Sequence, residues 1–394
     1  MSDTLGGGKD TKLEHWHSEE PFDPQSVEKL SPEQEQYYLA SQWKMMWWKF
    51  CRHRVAVVSG LILLFFYIAI IFAEFLAPYE LHSRNTKFIF APPQSIHIFH
   101  EGEIRAPFIY GYRQRLNLET LQREYRVDTK RVYSLRYFCR GDKYSMWNLF
   151  DTDVHLVCAD DQRRASFFWL GTDRLGRDIL SRIIYGTRIS LTIGLIGIII
   201  SFTLGIILGG ISGYYGGWID NVIQRTIELL KSLPQLPLWL ALSAALPVTW
   251  SPIWVFFGLT IILGLLDWPG LARAVRSKFL SLREEDFTTA AQLTGASPAR
   301  IIGRHLMPSF ASHLIASASL AVPSMILGET ALSFLGLGLR PPITSWGVLL
   351  NETTNINAVA TTPWLMYPVV PVIIVVLAFN FLGDGLRDAA DPYK

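Results

Sequence analysis

Six apolar runs, separated by polar stretches of unequal length, set the pattern of this sequence. The first, residues 55–77, exceeds the roughly 20 residues a helix needs to cross a bilayer. Others follow at 189–213, about 222–246, 254–271, within 313–335, and 365–382. The pattern predicts an all-α polytopic membrane protein with six transmembrane helices. Pro234 and Pro237 should kink the third span, and Pro323 should bend the fifth. In the second, Gly197, Ser201, Gly205, Gly209 and Gly213 recur every four residues. Small side chains therefore line one face, and another helix can approach closely. Between the first two runs lies a polar insert, residues 78–168, rich in Arg, Tyr and Phe. Its aromatic and β-branched residues suit a small mixed domain.

Charge orients these runs. Lys49, Arg52 and Arg54 precede the first span, so the N-terminus is expected in the cytosol. Counting crossings then puts the insert outside and the loop 283–308 inside. Arg273, Arg276, Lys278, Arg283, Arg300 and Arg304 in and before that loop give the same side independently. The positive charge of the insert does not oppose this, because long loops escape the charge rule. Residues 1–54 read as a polar tail leading into an interfacial elbow helix. Ser31, Pro32 and Gln34 form a helix-start signature. Trp43, Trp47 and Trp48 beside basic residues suit a membrane interface; the alternative is the soluble end of the first span. The expected division is a tail and elbow at 1–54, a first span at 55–77, an extracytoplasmic insert at 78–168, and a core at 169–394.

Composition agrees: half of the 394 residues are hydrophobic and only 18% are charged, which is a membrane composition. A net charge of +2 is too near balance to imply a nucleic-acid partner. The polar first forty residues contain no apolar region of a signal peptide. Gly6-Gly7-Gly8-Lys9 superficially resembles a phosphate loop, but Asp10 stands where that loop needs Ser or Thr. HExxH, GxSxG and CxxC patterns are absent. No catalytic residue, metal site or cofactor site is therefore expected on this chain. Cys139 and Cys158 could pair if the insert is extracytoplasmic, with two free thiols as the alternative. Asp151, Asp153 and His155 alternate as on one strand face. With His97 and His100 they leave a catalytic insert as a minor reading, against ordinary surface polarity.

The loop 283–308 carries the most specific local pattern. Asp286 is expected to cap a short helix running through Thr289, Ala290, Ala291, Gln292 and Leu293. Gly295, followed by Ala296, should end it, since Gly tolerates the positive φ found just past a helix C-terminus. Ser297 and Pro298 open a second helix. The two alanines should expose a small face suited to close docking. This stretch resembles the EAA loop of ABC importer permeases, with Ala290, Ala291, Gly295 and Pro308 at matching positions. Thr289, His305 and Met307 replace that pattern's Glu, Ile and Leu.

Two further stretches strengthen the resemblance and narrow it to the dipeptide and oligopeptide branch. One is LGTDRLGRD at 170–178, with Gly171, Thr172, Asp173, Gly176, Arg177 and Asp178. There Asp173 is expected to cap an amphipathic helix at the outer membrane surface, with Ile179, Leu180, Ile183 and Ile184 on its apolar face. The other is GETALSFLGLG from Gly328, followed by Thr344, Ser345, Trp346 and Gly347. Glu329 and Pro323 are candidates for a path or gate, with a hydrogen-bonded structural Glu as the alternative.

The resemblance implies the C-type permease subunit of a dipeptide/oligopeptide-family ABC importer, of the type I permease fold. Its partners would be a homologous permease in a heterodimer, two ATPase subunits docked on the loop, an extracytoplasmic solute-binding protein, and membrane lipid. ATP and Mg would sit on the ATPase subunits, not on this chain. The expected location is the bacterial inner membrane, with both termini cytosolic. Peptides are the expected solute; oligosaccharides or another small solute are the alternative. An ion-gradient-driven secondary transporter is the competing class. It favours midplane acidic residues in symmetric halves, and the halves here show no clear repeat.

Overall fold

The computed structural model describes residues 39–100, 102–118, 123–147, 149–160, 166–247 and 249–390. The Gly-rich tail and the helix-start signature at Ser31 lie outside these residues. Helix α1 (Gln42–Arg52) ends in Lys49 and Arg52 and leaves Trp43 and Trp47 exposed. His53 then caps α2 (Arg54–Ile71), its Nδ1 accepting from the Ala56 N–H at 3.1 Å. A one-turn helix, α3 (Ala73–Leu76), closes this segment.

Among the described residues, five helical stretches are long and apolar enough to cross a membrane. They are α2, α4 (Ile179–Tyr215), α7 (Pro252–Leu282), the run Pro298–Phe334, and the run Pro363–Ala390, whose main helix is α13 (Val369–Ala390), after the short α11 (Trp346–Asn351) and α12 (Ile356–Thr361). The expected third span, 222–246, is not one helix. It divides into α5 (Gly217–Ser232) and the ten-residue α6 (Gln235–Ala244). Leu233 and Pro234 between them are extended. Proline lacks an N–H and pushes the preceding residue away from helix, so the run breaks instead of kinking. Of the two, α6 is apolar apart from Gln235 and Ser243; α5 is amphipathic and carries an Arg225–Glu228 ion pair at 2.6 Å.

The small-residue stripe of α4 packs against α7. A Cβ added to Gly209 would lie 2.5 Å from the Ala272 carbonyl oxygen, and one added to Gly264 would lie 2.7 Å from the Gly197 carbonyl oxygen. Backbones this close exclude any larger residue. On the other side of α4, Leu63, Leu191, Val322, Ile326, Val375 and Phe379 join α2, α4, the fifth-span helix and α13 in one core.

The insert forms a four-stranded antiparallel meander: β1 (His97–His100), β2 (Glu103–Leu116), β3 (Arg123–Met146) and β4 (Phe150–Ala159), in that spatial order. Its elements among the described residues are all strands, which corrects the expectation of a mixed domain. Its small core is built from Ile109, Leu135, Ala159 and Phe167. Cys139 and Cys158 are disulfide-bonded across β3 and β4. His155 is fully buried, its ring nitrogens 2.6 Å from the Ala77 carbonyl and 2.9 Å from that of Asp142. It therefore ties the sheet to the end of α3 and is not grouped with an exposed Asp151.

Candidate functional site

The loop after α7 begins at Arg283 and is held back against it by Thr288, whose buried hydroxyl donates to the Leu282 carbonyl at 2.8 Å. Helix α8 (Asp286–Leu293) follows, with Glu285, not Asp286, at the N-cap. Asp286 sits in the first turn, where a carboxylate still complements the helix N-terminus. At the other end Gly295 has φ +79°. The Gly295 N–H donates to the Gln292 carbonyl at 2.9 Å and the Ala296 N–H to the Ala291 carbonyl at 3.0 Å. That pair of bonds is the Schellman arrangement, which requires a left-handed residue at the position Gly295 fills. Ser297 then caps α9 (Pro298–Arg300), with Pro298 in its first turn.

The two alanines do not share a face. Ala291 is buried and packs with Phe279, Ile301, Leu306 and Phe310. Ala290 and Thr289 are exposed, as are Phe287 and Leu293, the latter 85% exposed. The expected bare alanine patch is thus corrected to a stripe of Phe287, Ala290 and Leu293. These residues, spaced i, i+3, i+6, share one side of a helix. Large apolar residues left open on so short a helix point to a covered surface.

From α9 the chain does not turn again. Residues Ile301–Leu306 wind as a π-helix, and the Met307 N–H bonds to the Ile302 carbonyl, five residues back. Helix α10 (Met307–Phe334) follows directly. Pro308 accounts for this: its ring would collide with the carbonyl four residues earlier in an α-helix, and a wider π turn relieves the clash. Loop and fifth span are therefore one continuous body.

Beside the loop, Arg276 of α7 grips Asp220 of α5 through two bonds of 2.5 Å. Ser212 of α4 donates to the same carboxylate at 2.5 Å. The Arg276 hydrogen bonds hold Asp220 below the usual carboxylate range.

The 170–178 stretch takes another form at the opposite end of α4. Asp173 caps no helix. Its Oδ1 accepts from the Leu175 and Arg177 N–H groups at 2.8 and 2.9 Å, and Gly176 at φ +72° keeps the segment a turn. Asp178 is the actual cap of α4, accepting from the Ser181 N–H at 2.7 Å. Gly171, also at positive φ, lies against the Ala91 carbonyl and the Trp364 ring. Thr172 accepts from the Ala91 N–H at 2.8 Å. Arg177 and Arg182 both bond Asp173, at 2.6 and 2.5 Å, and both approach Glu352, at 3.5 and 3.3 Å. All four side chains are almost fully buried. The expected amphipathic surface helix is thus replaced by a tight turn and an interior charge cluster. Burial, opposed by the Ser181 hydrogen bonds, pushes Asp178 up to about 7. Among the described residues its Oδ1 has no hydrogen-bond partner.

Glu329 lies wholly inside the helix packing. It accepts from Ser345 at 2.6 Å, Ser333 at 2.8 Å and Ser190 at 3.2 Å. Pro323 is buried within α10. Both residues are closed off from solvent in this structure. Reading the sequence missed Glu352, Asp220 and Phe287, and gave Arg276 and Leu293 no role beyond loop charge and helix continuation. Only Phe287 and Leu293 had a local signal, being large apolar residues in an otherwise polar loop.

Residues 178–393 match the family described as the binding-protein-dependent transport system inner membrane component. Residues 41–93 match the N-terminal TM domain of oligopeptide transport permease C. The stretch 94–177, which contains the whole sheet, falls between the two. The dipeptide transport system permease protein DppC of Bacillus subtilis (strain 168) is 41% identical over 229 residues, 57% of this chain and 68% of that protein. The oligopeptide transport system permease protein OppC of Haemophilus influenzae is 40% identical over 243 residues, 61% of this chain and 75% of that protein. The glutathione transport system permease protein GsiD of Pectobacterium atrosepticum is 36% identical over 249 residues, 63% of this chain and 79% of that protein.

Proposed function

The chain belongs to the family of binding-protein-dependent transport system inner membrane components, and from that premise we propose that it is the membrane-spanning subunit of an ATP-driven importer of peptides or peptide-like solutes. Relatives named for dipeptide and oligopeptide transport support the solute class. In this reading the chain pairs with a homologous permease in the bacterial inner membrane and receives solute from an external binding protein. It binds no nucleotide itself; ATP and Mg are held by two ATPase subunits. The disulfide of the insert supports an extracytoplasmic sheet, because disulfides persist in oxidising compartments. With α6 making the remaining crossing between α4 and α7, both termini then lie in the cytosol.

One observation carries this reading: α8 presents Phe287, Ala290 and Leu293 outward while Thr288 and Ala291 hold it to the spans. An ATPase subunit closing on ATP would press that stripe. The push passes through Ala291 and Ile301 into the body that includes α10, and through Thr288 and Leu282 into α7. The path then alternates between outward and inward openings as these helices move against the partner permease.

The test uses the assembled complex with Leu293→Glu or Ala290→Arg, both exposed positions. Ala291→Arg is a poorer probe, since it would overfill the core. An interface hot spot is worth about 2 kcal/mol or more, so ATPase subunits co-purified on this chain should fall more than about tenfold. Unchanged co-purification with normal uptake in both variants would remove the coupling role from α8.

A further inference from the structure

The far end of the sheet is folded down onto the end of the first span. The Trp147 indole N–H, at the β3–β4 turn, donates to the Ile71 carbonyl at 3.0 Å, and Ile71 is the last residue of α2. The Arg188 guanidinium of α4 sits 4.1 Å above the Trp147 ring and pairs with Glu74 of α3 at 2.7 Å. One strand position away from the disulfide, Phe138 meets Phe75 with ring centroids 6.0 Å apart. The turn is therefore fixed at the level where the apolar span gives out.

At that level the turn exposes what a soluble surface would hide. Leu149 is 81% exposed, and Phe138 and Phe150 are also largely open. Trp147 and Phe138 both have φ near +53°, a region bulky residues rarely occupy. Local strain that carries large aromatic groups outward is a mark of a functional surface. Below them Ile68, Ile71 and Phe72 of the first span are exposed as well. The apolar surface of the span thus continues without a step onto the turn.

We propose that the β3–β4 turn is a membrane anchor: Leu149 and Phe150, with Trp147 at the headgroup level, enter the leaflet at which the first span ends. Trp beside Arg is the combination that suits this depth, and the apolar tip supplies the buried area that interfacial binding needs. Lipid is the occupant because the surface is continuous with the flank of a spanning helix. The anchor would hold the sheet against the bilayer while the core helices move. The inference rests on the membrane reading of α2, and its test separates the two.

The full chain, with Cys51→Ser to remove the exposed free thiol, would carry a nitroxide label at Leu149→Cys or Phe150→Cys. It would be reconstituted in nanodiscs of phosphatidylcholine and phosphatidylglycerol. Leu64→Cys in the span and Leu118→Cys, exposed two residues past the end of β2, serve as controls. Collision of the label with oxygen and with a water-soluble nickel chelate is read by electron paramagnetic resonance. The expected result at Leu149 is an oxygen-to-nickel ratio several-fold above that at Leu118 and approaching that at Leu64. A ratio matching Leu118 overturns the anchor in favour of an aqueous tip. Protection from both probes overturns it in favour of protein contact. A water-like ratio at Leu64 would instead sink the membrane reading of the span.

Discussion

The two ends of α4 are each held by arginine and carboxylate, and they are built differently. At the Ile179 end, Arg177 and Arg182 share Asp173 and Glu352 inside the protein, with almost no exposure. At the Tyr215 end, Asp220 is the one carboxylate paired with Arg276 among the described residues, with Ser212 in support, and the arginine side chain is 30% exposed. The first arrangement has no lone partner to release, because among the described residues each charge answers at least two others. The second can open by losing one pair at the rim. A helix fixed at one end and latched at the other is suited to transmit motion that begins beside α8.

That contrast can be broken most severely at the buried end. Arg182→Ala would leave Asp173 and Glu352 short of a cation in the interior. Removing one partner of a buried pair typically costs 3–5 kcal/mol, so the variant should lose about that much, read as a large drop in thermal midpoint in detergent. A drop no larger than that of Asp220→Ala would show that the two ends are equivalent after all. Asp220→Ala should cost about 1 kcal/mol, as for a partly solvated hydrogen-bonded pair, yet reduce uptake per ATP hydrolysed. Next comes Gly295→Ala. Space around Gly295 is open, so the expected loss is only the left-handed backbone cost of about 1 kcal/mol. Hydrolysis stimulated by the binding protein should weaken with it, and a thermal midpoint identical to wild type would mean the Schellman turn is not maintained in solution.

Proton binding sharpens the comparison further, with the smallest expected effect. Asp178, beside the buried cluster, is raised from 3.8 to about 7. The native state therefore holds a proton that the unfolded chain has lost, and this group's contribution to stability declines as pH rises from about 4 to 7. Asp220 is lowered, so its contribution is present above pH 3.8 and is lost as pH falls below it. Asp178→Asn should flatten the stability profile between pH 4 and 7, and Asp220→Asn should leave that window unaltered. Thermal midpoints across the range decide the matter.

Much of the membrane core was legible because its rules are local. Span length, the four-residue recurrence from Gly197 to Gly213, and the Gly295, Ser297 and Pro298 punctuation each act within a few residues. What escaped was set by distance or by solvent exposure. Glu352 completes a cluster with residues some 170 positions earlier, and no periodicity joins them. Ala290 and Ala291 are neighbours with opposite fates because a helix turns about 100° per residue, and only the packing of Phe279 and Ile301 decides which one is covered. In the third apolar run, hydropathy continued through Pro234 while the backbone did not. The sheet was hidden by its polarity: strands such as β3 alternate charged and aromatic residues and bury little.

The π turn before Pro308 has one mechanical consequence. Without it, proline would put a hinge between the cytosolic loop and the membrane. With it, Pro298–Phe334 is one continuous helix of 37 residues with Pro323 in its interior, ~55 Å along its axis at 1.5 Å per residue. A helix of that length acts as a lever, so a tilt of a few degrees imposed beside α8 appears at the far end, near Glu329, as a displacement of several ångströms.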